Sequence, residues 1–393
     1  MRILIISDTM EFSGAEEAIV TLARLLHKNK QIKLCLCSTR FINNHIKHLP
    51  FEDSYTINRK KPLSIEELYS TLLNPLNLIR NLRHCLDVAD DFQPDVIHSG
   101  IFTSALPSVI IAKRLQLPVI EHIHDYRTLC LTDLPFLDGI ISQLSYSQEL
   151  RYYLKKVEFY KATLAIGFRR LFYSLYNQCD LLIAVSNFVK KTLSPYLKPP
   201  IKVLYNAVDV ENEKRTEKGK HNKISLVYSG RLSAAKGFPL FLKASELLLK
   251  NGVDMEIHIT GMGELELLAN RFAKAFNKNV YFHGFLPRNK LYDLVKNSNV
   301  TVHPSLWPEP CPLSIIKSVE LGTTALASNR GGIPELLSPK YLFYPKQADL
   351  HNKLCEFFKN PDKFPPSLAV DTSPETIVNR LVDIYKLLAY GGM

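Results

Sequence analysis

The feature that most constrains this chain is an alternation that continues from end to end. Short apolar runs rich in β-branched residues occur at Arg2–Ser7, Ile32–Ser38, Asp95–His98, Leu117–Ile123, Cys179–Ser186, Ile201–Tyr205, Ile224–Ser229, Met255–Thr260, Val280–Gly284, Asn299–His303 and Thr324–Ser328. Between many of them lie longer stretches whose apolar residues recur at helical spacing, such as Ala18, Ile19, Leu22, Leu25 and Leu26. Strand–helix–strand repetition of this kind predicts parallel sheets with helices on both faces, an α/β doubly wound fold. At 393 residues the chain is long enough for two such domains. Glu211 to Asn222 is polar, charged and free of large apolar residues, and reads as the joint. The expected organisation is a first domain over 1–205, a second over 223–370, and a closing segment, 371–393. Ile377, Leu381, Ile384, Leu387 and Leu388 form a helical stripe in that segment, behind a Ser373-Pro374-Glu375 cap.

Composition narrows the class. A hydrophobic content of 46% is ordinary for a globular protein. No run approaches the roughly 18 apolar residues of a membrane span. The opening MRILIISD lacks the leader shape of a signal peptide. Seven scattered cysteines argue against a disulfide framework and for a cytoplasmic location. Cys35 and Cys37 alternate on one strand face and read as a buried reduced pair. The net charge of +11 favours anionic partners. Nucleic acid is set aside, because no recognition motif accompanies the charge.

Several stretches carry chemistry. Pro304 to Glu335 reads as a proline-rich turn, a short helix ended by Gly322, a buried strand and a Gly331-Gly332 turn. Glu309 lies in the loop feeding that helix, so an acid, free main-chain N–H groups and a helix N-terminus meet at one spot, suited to a polar, partly anionic ligand. Gly230-Arg231-Leu232 leads to Lys236-Gly237. A guanidinium fork and a compact ammonium there could neutralise a diphosphate leaving group. Gly261-Met262-Gly263 is a second turn at a strand end, with Leu265, Leu267 and Leu268 on the helix after it. In the first domain, Gly14 opens a helix after the first strand, where backbone amides can approach a phosphate or an acceptor; a plain tight turn is the other reading. His98, His122 and His124 gather at strand ends, where ligands of open α/β sheets collect. Core histidines remain the alternative for His98 and His122.

These motifs resemble those of the family 4 glycosyltransferases, retaining enzymes of the GT-B fold. Glu309, Gly322 and Gly331-Gly332-Ile333-Pro334-Glu335 match the family's C-terminal signature. Gly230-Arg231-Leu232 with Lys236-Gly237, Gly261 and Gly263, Asn206-Ala207-Val208-Asp209, and His124-Asp125-Tyr126 match further elements. The signature's second Glu is replaced by Lys317, eight positions after Glu309. The resemblance implies two Rossmann-like domains facing across a cleft, with the last helix crossing back to the first. It implies a UDP- or GDP-sugar donor, with no metal and no further cofactor, and retention of anomeric configuration with the leaving phosphate taking the acceptor proton. Arg231 and Lys236 would bind the diphosphate, on the far side of the interdomain gap from Glu309, while Glu309 and His124 flank the sugar. Gly14, Gly261, Gly263, Pro312, Leu313 and Ser314 would contact the donor. Lysine has only donors, so Lys317 cannot copy a glutamate that accepts from ribose hydroxyls.

The stretch Tyr146–Tyr176 mixes aromatics and cations, with Glu149 and Glu158 the few acids. It reads either as an amphipathic element lying on an anionic membrane surface or as a helix pair with its aromatics on the sheet. Two functions follow. One is transfer of sugar to a glycan or lipid-linked acceptor in cell-surface polysaccharide or glycolipid synthesis, at the inner face of the membrane. The other is a catalytically silent relative that binds a sugar nucleotide or a partner transferase.

Overall fold

The computed structural model describes residues 1–10, 14–42, 54–56, 75–101, 104–126, 145–155, 159–210 and 223–391. The polar joint over 211–222 and Glu158 lie outside these. The described residues divide into two compact units: Met1–Pro135, Ile140–Ala207 and Ser373–Met393 form the first, and Val208–Thr372 the core of the second.

The first unit runs β1 (Arg2–Met10), α1 (Gly14–His27), β2 (Lys33–Ile42), β3 (Ser54–Thr56), α2 (Pro75–Phe92), β4 (Val96–Ser99), α3 (Ala105–Leu115), β5 (Val119–Ile123), α4 (Tyr146–Leu154), α5 (Phe159–Tyr176), β6 (Leu181–Ala184), α6 (Asn187–Leu193) and β7 (Ile201–Val203). Its strands lie in the order β3-β2-β1-β4-β5-β6-β7 and pair in parallel. Ile3 to Ile6 are fully buried because helices cover both faces of the central strand. Sequence order reverses between β1 and β4, and such a switch point opens a crevice at the strand C-termini.

Cys37 faces Cys85 of α2 with sulfurs 3.5 Å apart, both buried and reduced. In the α4–α5 pair, Arg169 and Glu149 form a buried ion pair, and Phe172, Leu175 and Tyr176 are buried. Arg151, Leu154, Lys155, Arg170 and Leu171 are exposed. Part of this basic-aromatic stretch therefore packs inward. No helix of the described residues is long and apolar enough to cross a membrane.

The second unit runs β8 (Ile224–Ser229), α7 (Phe238–Lys250), β9 (Met255–Thr260), α8 (Glu266–Ala275), β10 (Val280–Phe282), α9 (Arg288–Lys296), β11 (Val300–His303), α10 (Leu313–Glu320), β12 (Thr324–Ser328), α11 (Ile333–Leu336), β13 (Leu342–Phe343) and α12 (Gln347–Lys359). Its strand order is β10-β9-β8-β11-β12-β13, again parallel. The switch point lies between β8 and β11. On α8, Leu267 and Leu268 are exposed, and Ala269 and Phe272 make the core contact. The short edge strands β3 and β13 carry no alternation strong enough to announce them.

α13 (Pro374–Tyr390) packs in the first unit. Ser373 caps it by accepting from the Thr376 N–H, and Pro374 occupies its first turn. Ile377, Leu381 and Ile384 are buried as the stripe predicts, but Leu387 is exposed; Tyr385 takes the fully buried place.

Candidate donor site and histidine file

The second unit's switch point gathers the cationic loop after β8 and the acidic loop after β11. The Tyr228 hydroxyl, at the end of β8, donates to the carbonyl oxygen of Arg231 at 2.9 Å, so the strand itself shapes the turn. Burial, and then the nearby Glu309 charge, push the phenol of Tyr228 up, so it remains a donor. Leu306 and Trp307 donate their N–H groups to Ala235 O at 2.9 and 3.0 Å, tying the two loops together. Gly237 must be glycine here: its φ is +68°, and a Cβ would lie 1.8 Å from Pro304 O.

This frame sets Lys236 against Glu309, with Nζ 2.5 Å from Oε1. Ser305 Oγ donates to the same oxygen at 2.9 Å. Gly332 N donates to Glu309 O at 2.7 Å. Gly331, at φ +61°, lies so close to the Glu309 backbone that a Cβ would be 2.3 Å from its carbonyl oxygen. The two glycines of that turn thus fix the acid. Arg231 is exposed at the start of the same cationic loop. The expectation that the cations oppose Glu309 from another domain is corrected: Arg231, Lys236 and Glu309 all belong to the second unit. The reason is topological, since β8 and β11 are neighbours in one sheet.

His303, at the end of β11, is a member that the sequence did not announce. Its Nε2 lies 2.9 Å from Thr301 Oγ1 and its Nδ1 3.3 Å from Ser314 Oγ, at the start of α10. Burial, with Lys236 nearby, lowers its pKa to about 3, so the ring is neutral. The signal lay in its position, a histidine ending a strand at the switch point. Pro312 precedes α10 and Leu313 opens it. Gly261 and Gly263 lie against the same loop, with Leu232 N donating to Met262 O at 2.9 Å. Lys317 is half-buried on α10, its Nζ 5.9 Å from the centre of the Tyr292 ring. Arg288 stacks on that ring at 5.0 Å and donates to Asp209 O at 2.8 Å.

Gly14 and His124 lie in the first unit. Gly14 opens α1, and a Cβ on it would meet nothing within 4 Å. His124 follows β5 and stacks on His122, with ring centres 4.3 Å apart. His122 lies 5.3 Å from His98. Nδ1 of His98 is 2.6 Å from the hydroxyl of Tyr385 on α13. Burial lowers the pKa of all three imidazoles, to about 3 for His98 and His124. Both ring nitrogens of His122, Nε2 of His98 and Nε2 of His124 are buried without a hydrogen-bond partner among the described residues. Each such atom costs about 1–3 kcal/mol. On the other face of β5, Glu121 is fully buried, its carboxyl pushed well up by desolvation.

The Glycosyltransferase Family 4 pattern matches residues 12–212, and the Glycosyl transferases group 1 pattern residues 209–368. The first alone spans half the chain. The chain belongs to glycosyltransferase family 4. Among its relatives, the uncharacterized glycosyltransferase YqgM of Bacillus subtilis is 29% identical over 160 residues, 40% of this chain and 44% of that protein. The amylovoran biosynthesis glycosyltransferase AmsK of Erwinia amylovora is 25% identical over 173 residues, 42% of each chain. These matches span less than two thirds of the relatives' own length. The crystal structure of Anabaena Alr3699/HepE in complex with UDP-glucose superposes with a TM-score of 0.72, at 17% identity, over 99% of this chain and 100% of that one. A sucrose-phosphate synthase from Thermosynechococcus elongatus gives 0.72 at 16% identity, over all of both chains. The fold of this family 4 member is therefore GT-B, with two Rossmann-like units.

Proposed function

We propose that the chain is a retaining glycosyltransferase. It moves a sugar from a UDP- or GDP-sugar to a lipid-linked or oligosaccharide acceptor in cell-surface polysaccharide or glycolipid synthesis. The observation that carries this reading is the Lys236–Glu309 pair beside Arg231, at the switch point of one sheet. An ammonium and a guanidinium there match a pyrophosphate, whose charge builds as the glycosidic bond breaks. Glu309, oriented by Ser305 and the Gly332 N–H, is placed to accept from a sugar hydroxyl. The neutral His124 adds a hydrogen-bonding ring without further charge. The leaving phosphate would take the acceptor proton, which suits a site built around cations. UDP-glucose in the HepE crystals and amylovoran synthesis in the name of AmsK support the donor class and the pathway class.

The decisive experiment incubates the protein with UDP- and GDP-sugars and an acceptor lipid extract, following nucleoside diphosphate release. Release with one donor is expected. Donor binding without release, across the whole panel, would favour the second reading, a silent relative, for which Lys317 is the specific observation. The exposed Arg151, Leu154, Lys155, Arg170 and Leu171 support docking on an anionic membrane surface. Flotation with anionic liposomes at low salt is the expected result; failure to float removes that part.

A further inference from the structure

We propose that Tyr385 and His98, acting through His122, are positioning residues that hold the His124 imidazole in one orientation. The inference deepens the glycosyl-transfer reading and rests on it for the role of His124. The geometry stands without it.

Four residues from three places in the chain form a continuous file within the first unit: Tyr385 on α13, His98 on β4, His122 on β5 and His124 just beyond. The contacts are a 2.6 Å hydrogen bond and two ring contacts at 5.3 and 4.3 Å. The file is buried except at its His124 end, which is half-buried. A core position facing only apolar neighbours would be served by phenylalanine or leucine. Histidine at 122 instead brings two nitrogens that have no partner among the described residues. Unpartnered nitrogens in an otherwise apolar interior call for a reason beyond packing.

The charge relations point the same way. A proton on His124 disfavours protonation of both His98 and His122, so the stack works as neutral rings that exclude charge from one another. Tyr385 faces this stack from α13, Asp125 follows His124 in the chain, and Glu121 lies on the opposite face of β5. Burial keeps the Tyr385 phenol protonated. Its bond to His98 Nδ1 pins the His98 ring, and ring packing against His122 holds His124 in turn. A neutral, oriented imidazole can either donate to or accept from a sugar or acceptor hydroxyl; an imidazolium could only donate. The last helix of the chain thereby gains a role at a residue far from it in sequence.

The test uses the full chain labelled with 15N-histidine. Long-range proton–nitrogen spectra report the tautomer and titration of each ring, whether or not a donor has been found. Tyr385→Phe, which keeps the ring and removes the hydroxyl, is expected to shift the His98 and His124 signals. His122→Phe, which keeps the stack and removes both nitrogens, is expected to shift the His124 titration. With an active donor, Tyr385→Phe should lower kcat about fivefold with KM within about twofold, the size of one lost hydrogen bond. Should Tyr385→Phe not fold, His122→Phe carries the same test. His124 signals and titration unchanged in the folded variants would overturn the proposal. Absence of turnover with every donor, alongside shifted His124 signals, would instead count against the glycosyl-transfer reading alone.

Discussion

Lys236 and Glu309 lie 73 residues apart in the chain and 2.5 Å apart at Nζ and Oε1. The ammonium side chain is 38% exposed and the carboxylate 12%. A pair this open contributes little to folding, about 0–1 kcal/mol. The role proposed for the two groups is therefore in binding rather than in folding.

Glu309→Gln should therefore leave the melting temperature nearly unchanged while reducing nucleoside diphosphate release about 100-fold, the usual consequence of losing one aligned polar group. Lys236→Met should act similarly. The double variant should be no worse than the poorer single one if the two serve one step. Strictly multiplicative losses would show that they act independently.

Gly331→Ala tests how that acid is held. At φ +61° the alanine is strained, and its Cβ would press on the Glu309 carbonyl. A loss of about 1–3 kcal/mol in stability with a larger relative loss of turnover is expected. Gly14→Ala is the contrast, because a Cβ there has open space. Melting should be unchanged, and only activity should fall if a ligand approaches the start of α1. A Gly14→Ala enzyme with full activity would remove Gly14 from the site.

The parallel sheets, the two units and the association of Glu309 with a helix start were legible because strand–helix alternation and proline–glycine punctuation act locally. Lys236 and Glu309 were each legible as candidate site residues. Their direct pairing was not, since it depends on β8 and β11 lying side by side, a tertiary fact. His303 and Tyr385 stayed hidden for the same reason. A single histidine or tyrosine in an apolar run carries no local mark of the partner it will meet.

Lys317→Glu restores an acceptor where only donors now stand. If Lys317 contacts the nucleotide, the change should shift donor affinity about tenfold or alter the preferred nucleotide. Equilibrium binding of UDP and GDP, measured beside turnover, checks this. Identical affinities and rates would place the residue outside the donor contact and leave its packing by Tyr292 as its role.

Acid should destabilise the protein well above the carboxylate range. His98, His124 and His303 fall from 6.5 to about 3 on folding. Between those values the unfolded chain binds protons that the folded chain refuses, so stability falls as pH drops through that window. Melting temperature should decline steadily from pH 7 to pH 4, and His303→Asn, removing one such group, should flatten the curve. A melting temperature independent of pH over that range would show these rings to be solvated.

Glu121 should show the reverse dependence. Its ordinary value of 4.5 is raised well above by burial, against which the Ser99 and Tyr176 side chains pull only partly. Above pH 4.5 the unfolded chain releases a proton that the folded chain keeps, so this group costs stability as pH rises. Glutamine copies the neutral acid in shape and carries no proton to lose. Glu121→Gln should thus be near neutral at pH 4 and more stable than the parent at pH 8. Denaturant melts at the two pH values measure the difference directly. Destabilisation at pH 8 would mean that Glu121 is ionised and paired inside the fold, contrary to its burial beside Ser99 of β4 and Tyr176 of α5.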